Sequence, residues 1–312
     1  MAIQLVANPP STALERLVDD YLNHCRARGL SPRTDSQYSY PLRQVFLPWC
    51  SNEGIEHVGA FDRRAADRFT AALLGHRKPN GEPLSKYSVA SYTRPVRQML
   101  AWARREGEVV EGQPQLPRRP KPVRNILSRE EIDRLERAVV HERDKVIIRV
   151  FADCGVRLKE LTGLREADVL RSGRQAYLQV LGKRDRIRAV PVAPSLLRRL
   201  ERVIETRPEP RSSDRVFISF RRGPGNDYEP LTSEGVYQVV QDAARRAGLD
   251  KRVHPHLLRH SWMTEMVRSG MSPIQLSLIA GASPEVITEC YTHLTKDDAY
   301  EAMMRALAAR GR

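Results

Sequence analysis

The chain has 312 residues, room for one large domain or two ordinary ones, and 41% of them are hydrophobic, enough to bury a core. Its 52 Lys and Arg residues outnumber 38 acidic ones, for a formal charge of +14; spread along the chain, they point to nucleic acid rather than a membrane surface, although a surface kept basic for solubility carries the same charge. No run of about twenty apolar residues is present to cross a membrane, residues 1–12 lack the features of a secretion signal, and Cys25, Cys50, Cys154 and Cys290 have no metal-ligand spacing, so a cytoplasmic protein with reduced cysteines is expected.

Residues 1–11 read as a flexible leader. Thr12 and Glu15 match a capping box, and Leu14, Leu17, Val18, Tyr21 and Leu22 recur at helical spacing until Gly29. Ser31-Pro32 restarts a helix with proline in its first turn, and Pro41 is expected to kink or split it. Asp62 caps a third helix, roughly 63–74. Residues 76–83 (HRKPNGEP) form a polar turn. Ser85 then starts a fourth helix carrying Val89, Val96, Met99, Leu100 and Trp102, which ends by Gly107. Residues 12–107 are therefore expected to form a compact domain of about four helices. Singly, its basic residues fit a solvated face; as a group, in so basic a chain, they fit contacts to backbone phosphates.

Residues 108–127 change character, with prolines at 114, 117, 120 and 122 among basic residues. Proline keeps such a segment extended and outside any core, so this is the expected domain boundary. A basic linker between two basic domains suits a clamp around a duplex; a solvated spacer fits equally. Ser128 and Glu131 repeat the capping box and open a second domain, 128–296. Helices are expected to about 140 and over 143–154, with a break at Gly155 and a resumption over 158–164. Residues 177–180 and 187–192 read as two strands around a charged turn, Gly182-Lys183-Arg184-Asp185. Helices follow near 195–205, 233–247 (capped by Thr232 or Ser233), 256–269, 273–280 and 284–292. The tail, 297–312, carries an amphipathic helix with Ala302, Met303, Met304, Leu307 and Ala308. The expected fold class is mainly α: a helical N-terminal domain, then a mostly helical domain with a small antiparallel β-sheet.

A phosphodiester can be broken without metal by a nucleophile, cations facing the pentavalent phosphorane, and an acid for the leaving oxygen. Arginine suits the second task, because its planar fork binds two phosphate oxygens and stays charged. Arg157 opens the helix after Gly155, and Glu160 lies three positions on along the same face. His256 and Arg259 also share a helix face, and histidine moves protons near neutral pH. Lys183 sits at the tip of the expected hairpin, and Tyr291 near the end of the last short helix. Taken alone, each has a plain structural reading: a salt bridge for Arg157, a solvated turn for Lys183, a structural pair for His256 and Arg259, packing for Tyr291.

Their order is the stronger signal. Gly155-Val-Arg157-Leu-x-Glu160-Leu, then Gly182-Lys183 before Val190-Pro191-Val192, then His256-Leu-Leu-Arg259-His260-Ser261, then Tyr291-Thr-His293 closely resembles the tyrosine recombinase (phage integrase) family. Residues 158–168 (LKELTGLREAD), Ser31-Pro-Arg-Thr and residues 101–107 (AWARREG) also match, so the resemblance covers about residues 10–300. It implies a four-helix, SAM-like core-binding domain at 12–107 and a catalytic domain at 128–296. It implies that Tyr291 attacks the scissile phosphate, giving a 3′-phosphotyrosyl link and a free 5′-hydroxyl. Arg157 and Arg259 would hold the non-bridging oxygens, Lys183 would protonate the leaving oxygen, His256 would assist as proton acceptor or donor, and Glu160 would steady the site. No metal, ATP or other cofactor is implied.

The implied partners are double-stranded DNA with specific core sites and further copies of the chain, a tetramer on two DNA sites. The tail 297–312 is placed to dock on a neighbouring subunit, or equally on its own domain. The N-terminal region is too short for an arm-site domain, so simple core sites, as in Xer-like recombinases, are expected. One position departs. Nine residues before the tyrosine the family carries Leu-Gly-His (or Trp), and here the element reads Ala280-Gly281-Ala282. A methyl group donates no hydrogen bond, and one lost donor costs on the order of a few kcal/mol of transition-state stabilisation. His260 and His293 are the substitutes closest in sequence. Ala282 also supports an alternative, a DNA-binding protein of this fold with weak or lost catalysis; a type IB topoisomerase, sharing the nucleophile chemistry, is another.

Overall fold

The computed structural model describes residues 12–118, 125–182, 186–288, 290, 298, 300, 303 and 304. The chain divides into two compact units, Met1–Pro122 and Val123–Arg312.

In the first unit, α1 (Ala13–Ala27) starts at the expected cap, with Thr12 and Glu15 each bonding the other's backbone N–H. It buries Leu14, Val18 and Leu22. The next stretch breaks at the expected proline and continues in a way the sequence did not indicate. Helix α2 (Pro32–Tyr40) ends with Pro41 as its C-cap, the split expected there, but the chain stays helical: a π-helical turn, Pro41–Phe46, leads on into α3 (Leu47–Asn52). The wider turn pairs the Leu47 N–H with the Leu42 carbonyl five residues back, a pattern that tolerates a proline without its own N–H. It also turns Phe46 into the core, edge-on to Phe61 and Phe69 at 5.2 and 5.4 Å between ring centres. Asp62 caps α4 (Arg63–Gly75), and Ser85 caps α5 (Lys86–Arg105), which runs through a buried Pro95.

Beyond α5 the first part of the segment read as an extended linker from residue 108 is held against the first unit. The Gly112 N–H donates to the Phe61 carbonyl at 2.9 Å. Arg104 holds the carbonyls of Val110 and Gly112 at 2.8 and 2.9 Å, and Arg97 that of Pro114 at 2.6 Å. This extended segment lies outside any sheet, so its carbonyls have no ladder partners, and arginines on α5 bond three of them.

The second unit is built on two helices that pack together, α7 (Glu142–Cys154) and α11 (Pro255–Arg268). Helix α11 is buried on nearly every side, including Leu257, Leu258, Trp262 and Met263. Around this pair lie α6 (Arg129–Ala138), capped by Ser128 with Glu131, and α8 (Leu158–Gly163). The sheet has three antiparallel strands, β1 (Val169–Ser172), β2 (Gln175–Leu181) and β3 (Ile187–Pro191), not the two expected. Strand β1 is exposed for most of its length and so lacks an alternating pattern. Helix α9 (Pro194–Glu205) covers the core with Leu196, Leu197 and Leu200. A second ribbon, β4 (Ile218–Arg222) and β5 (Tyr228–Pro230), is likewise absent from the sequence pattern. Thr232 rather than Ser233 caps α10 (Ser233–Arg246), and α12 (Pro273–Ala280) and α13 (Pro284–Thr288) follow α11.

The far end of the expected linker belongs to this unit. The Ile126 carbonyl accepts from Lys251 at 2.9 Å, the Leu127 N–H donates to Ser261 at 2.8 Å, and Leu127 is buried. Of the expected C-terminal helix, only Asp298, Tyr300, Met303 and Met304 are among the described residues; Asp298 pairs with Arg268 at 3.5 Å. Among the described residues no helix is long and apolar enough to cross a membrane. The four cysteines are unbridged and buried.

Candidate active site

Two glycines in the left-handed conformation frame the site. Gly155 ends α7 with φ +58°, and a Cβ there would run into the Trp262 ring, so both its backbone and its surroundings require glycine. Gly281 ends α12 with φ +60°; a Cβ there would lie 3.0 and 3.2 Å from the guanidinium nitrogens of Arg188 and Arg157. Both turn helix-terminal carbonyls toward arginines. Arg157, the N-cap of α8, donates to the Gly281 carbonyl. Arg259, on α11, donates to the Gly155 carbonyl and, at 2.7 Å, to that of Ala280. The negative ends of α7 and α12 thus hold two guanidiniums that would otherwise repel each other.

The counter-charge is Glu160. It is 6% exposed and accepts four hydrogen bonds: from the Arg157 backbone N–H (2.7 Å) and Nη1 (2.8 Å), and from Nη1 and Nη2 of Arg188 (2.7 and 2.8 Å). Burial works against its ionisation, but the Arg188 and Arg157 bonds prevail and hold the carboxyl down at about 2. Burial, and then the Arg157 charge, push Arg259 down to about 10, which leaves it a cation at neutral pH. Three guanidiniums against one carboxylate leave this cluster with an excess of positive charge.

A cavity of about 910 Å³ opens beside Arg157 and Arg259. Arg157, His256 and Arg259 line it together, from segments a hundred residues apart in sequence. Burial, followed by the charges of Arg259 and Arg157, lowers the His256 pKa, so its imidazole is neutral at pH 7 and free to accept a proton. His260 also lines the cavity but is itself buried, with Nδ1 3.7 Å from Cys290 Sγ. Cys290, the residue before Tyr291, is buried in a small apolar cluster with Trp262, Met263 and Ile287. Ala282 lines the cavity as well and packs against that cluster. Tyr291, Lys183 and His293 lie outside the described residues; strands β2 and β3, which flank Lys183, pair through Leu181 and Ile187.

Several lining residues escaped the sequence reading. Asn125, Arg252, His254 and Ser283 also face the cavity. His254 is the N-cap of α11, and its Nδ1 accepts the Leu257 N–H at 3.1 Å, which puts the ring proton on Nε2. Arg188 was missed although a signal existed: alternation along β3 places it on the same inward face as buried Val190, where an arginine needs a partner. Among the described residues no group of three or more His, Cys, Asp or Glu side chains is placed to hold a metal ion.

Residues 125–298 match the model of the phage integrase family. The chain is 31% identical over 293 residues to the tyrosine recombinase XerC of Pseudomonas fluorescens, covering 90% of this chain and 92% of that protein. It is 29% identical over 299 residues to tyrosine recombinase XerC 2 of Ralstonia nicotianae, covering 90% and 82%. In fold it is similar to the XerH site-specific recombinase in a post-cleavage complex with its palindromic difH substrate, with a TM-score of 0.69 at 19% identity over 92% of this chain and 83% of that one.

Proposed function

The chain belongs to the phage integrase family of tyrosine recombinases, and from that premise we propose that it cuts and rejoins double-stranded DNA at specific sites, with Tyr291 as nucleophile. The observation that carries the reading is the meeting of Arg157, His256 and Arg259 on one cavity, with Glu160 ionised beneath them. Arg157 and Arg259 bind the two non-bridging oxygens of the scissile phosphate, where their charge counts most in the phosphorane. Neutral His256 takes the phenolic proton as the Tyr291 oxygen bonds to phosphorus. The bond from phosphorus to the 5′-oxygen breaks, and Lys183 gives that oxygen a proton. The product is a 3′-phosphotyrosyl link, and attack by a 5′-hydroxyl from another duplex reverses the steps. Bond energy is kept in the link, so neither ATP nor a metal ion enters. Exchange between two duplexes calls for two copies of the chain on each, a tetramer.

A duplex nicked close to its cleavage site tests this, because loss of the short product strands the intermediate. Wild-type protein forms a covalent adduct with such DNA, and Tyr291→Phe binds the same DNA without forming one. Absence of an adduct from wild-type protein that binds the DNA overturns the proposal and leaves a DNA-binding protein of this fold.

A further inference from the structure

Arg188 belongs to none of the motifs above, yet it makes three hydrogen bonds inside the site. Its Nη1 and Nη2 close a fork on Glu160 at 2.7 and 2.8 Å, and its Nε donates to the Ile279 carbonyl at 2.6 Å. Strand β3 is thereby tied at once to α8 and to the C-terminal turn of α12. That turn offers three successive carbonyls to three arginines: Ile279 to Arg188, Ala280 to Arg259 and Gly281 to Arg157.

A carboxylate has about four acceptor sites, and those of Glu160 are all used, two by Arg188 and two by Arg157. Because Arg188 closes its own fork on Glu160, Arg157 gives that carboxylate a single side-chain N–H. A second Arg157 N–H goes to the Gly281 carbonyl, and three of its five guanidinium N–H groups remain for an anion in the cavity. Without Arg188, Glu160 would be a buried carboxylate with half its bonds missing, a costly state. The nearest remedy is for Arg157 to close a two-bond fork on it, which turns that guanidinium from the cavity.

We propose that Arg188 is a positioning residue for strand cleavage: by satisfying half of Glu160 and gripping the end of α12, it keeps the Arg157 fork open toward the scissile phosphate. This rests on Arg157 acting on that phosphate. Lysine cannot replace it, since one ammonium cannot form two parallel bonds to Glu160 and reach the Ile279 carbonyl as well.

The test is a double-mutant cycle on the nicked substrate, reading the rate of adduct formation, DNA affinity and melting temperature for Arg188→Ala, Arg188→Lys, Arg157→Lys and the combination of Arg157→Lys with Arg188→Ala. Arg188→Ala and Arg188→Lys are each expected to slow cleavage by about 10–100-fold, the range for residues that orient a catalytic ligand, with DNA affinity within about threefold of wild type. The combined variant is expected to be no slower than Arg157→Lys alone, because two changes acting through one guanidinium do not multiply. Losses that multiply, or an Arg188→Lys rate within about twofold of wild type, overturn the proposal. If Arg188→Ala does not fold, Arg188→Lys carries the cycle in its place. A normal rate for Arg157→Lys instead removes the premise about Arg157, an outcome distinct from failure of the cycle.

Discussion

Glu160→Gln removes a charge while keeping the shape of the side chain, and its cost can be worked from the geometry. The carboxyl is buried under four hydrogen bonds from two arginines, and its pKa falls from 4.5 to about 2. At about 1.4 kcal/mol per pH unit, that gap corresponds to about 3 kcal/mol of folding stability. A depressed carboxyl contributes this above the unfolded value of 4.5, and the contribution is lost as pH falls from 4.5 toward 2. Glutamine also leaves Arg157 and Arg188 facing each other without a counter-ion. In a domain of this size about 1 kcal/mol moves the melting temperature by roughly 2–4 °C, so Glu160→Gln should melt about 6–12 °C below wild type at pH 7. The difference should narrow by about half at pH 3. Melting curves followed by circular dichroism from pH 7 to pH 3 measure both quantities, and adduct formation on nicked DNA should fall with them by about 10–100-fold. A melting difference under about 2 °C at pH 7, or one that fails to narrow on acidification, refutes the assignment of Glu160 as the ionised counter-charge of the site.

Ala282→His places a hydrogen-bond donor where the cavity wall now offers a methyl group; it should raise the cleavage rate by up to about 10²-fold at unchanged DNA affinity, and an unchanged or lower rate in single-turnover assays contradicts a missing ligand at that position. His256 acts as a proton acceptor only when neutral, and its pKa lies below 6.5 because of burial and the charges of Arg259 and Arg157. The acid limb of the cleavage rate at subsaturating DNA should therefore fall below pH 6.5 and vanish in His256→Gln; a limb above pH 6.5 contradicts this role.

Local chemistry was legible in the sequence and non-local chemistry was not. The caps at Thr12, Asp62, Ser85 and Ser128 start their helices as read, because a capping side chain bonds a backbone N–H only two or three residues away. Pro41 ends α2 as read, but the π turn after it was not legible, because Phe61 and Phe69, which pack on Phe46, lie far from it in sequence. Strands β1 and β4 are short and mostly exposed, and β5 has three residues, so period-two burial left no trace of them. The strap over residues 110–114 depends on Arg97 and Arg104, which in sequence are only two more arginines on a basic helix.

The site shows the same division at closer range. Arg157, Glu160, His256 and Arg259 were singled out by the order of motifs that resembles the tyrosine recombinase family; Arg157, His256 and Arg259 line one cavity, and Glu160 is bonded to Arg157. Their restraints were not readable, because most are backbone carbonyls at helix ends, which carry no residue signature. That difference bears on the departure at Ala280-Gly281-Ala282. The side chain at 282 is a methyl group, but the carbonyls of Ala280 and Gly281 still receive Arg259 and Arg157, and that of Ile279 still receives Arg188. Main-chain carbonyls tolerate side-chain change wherever the backbone path is kept, and Gly281, with its positive φ, keeps it here. The departure therefore removes one donor from the cavity wall and leaves the seating of the arginine clamp intact, which is why a loss of rate at Ala282 is expected to be separable from any loss of arginine positioning.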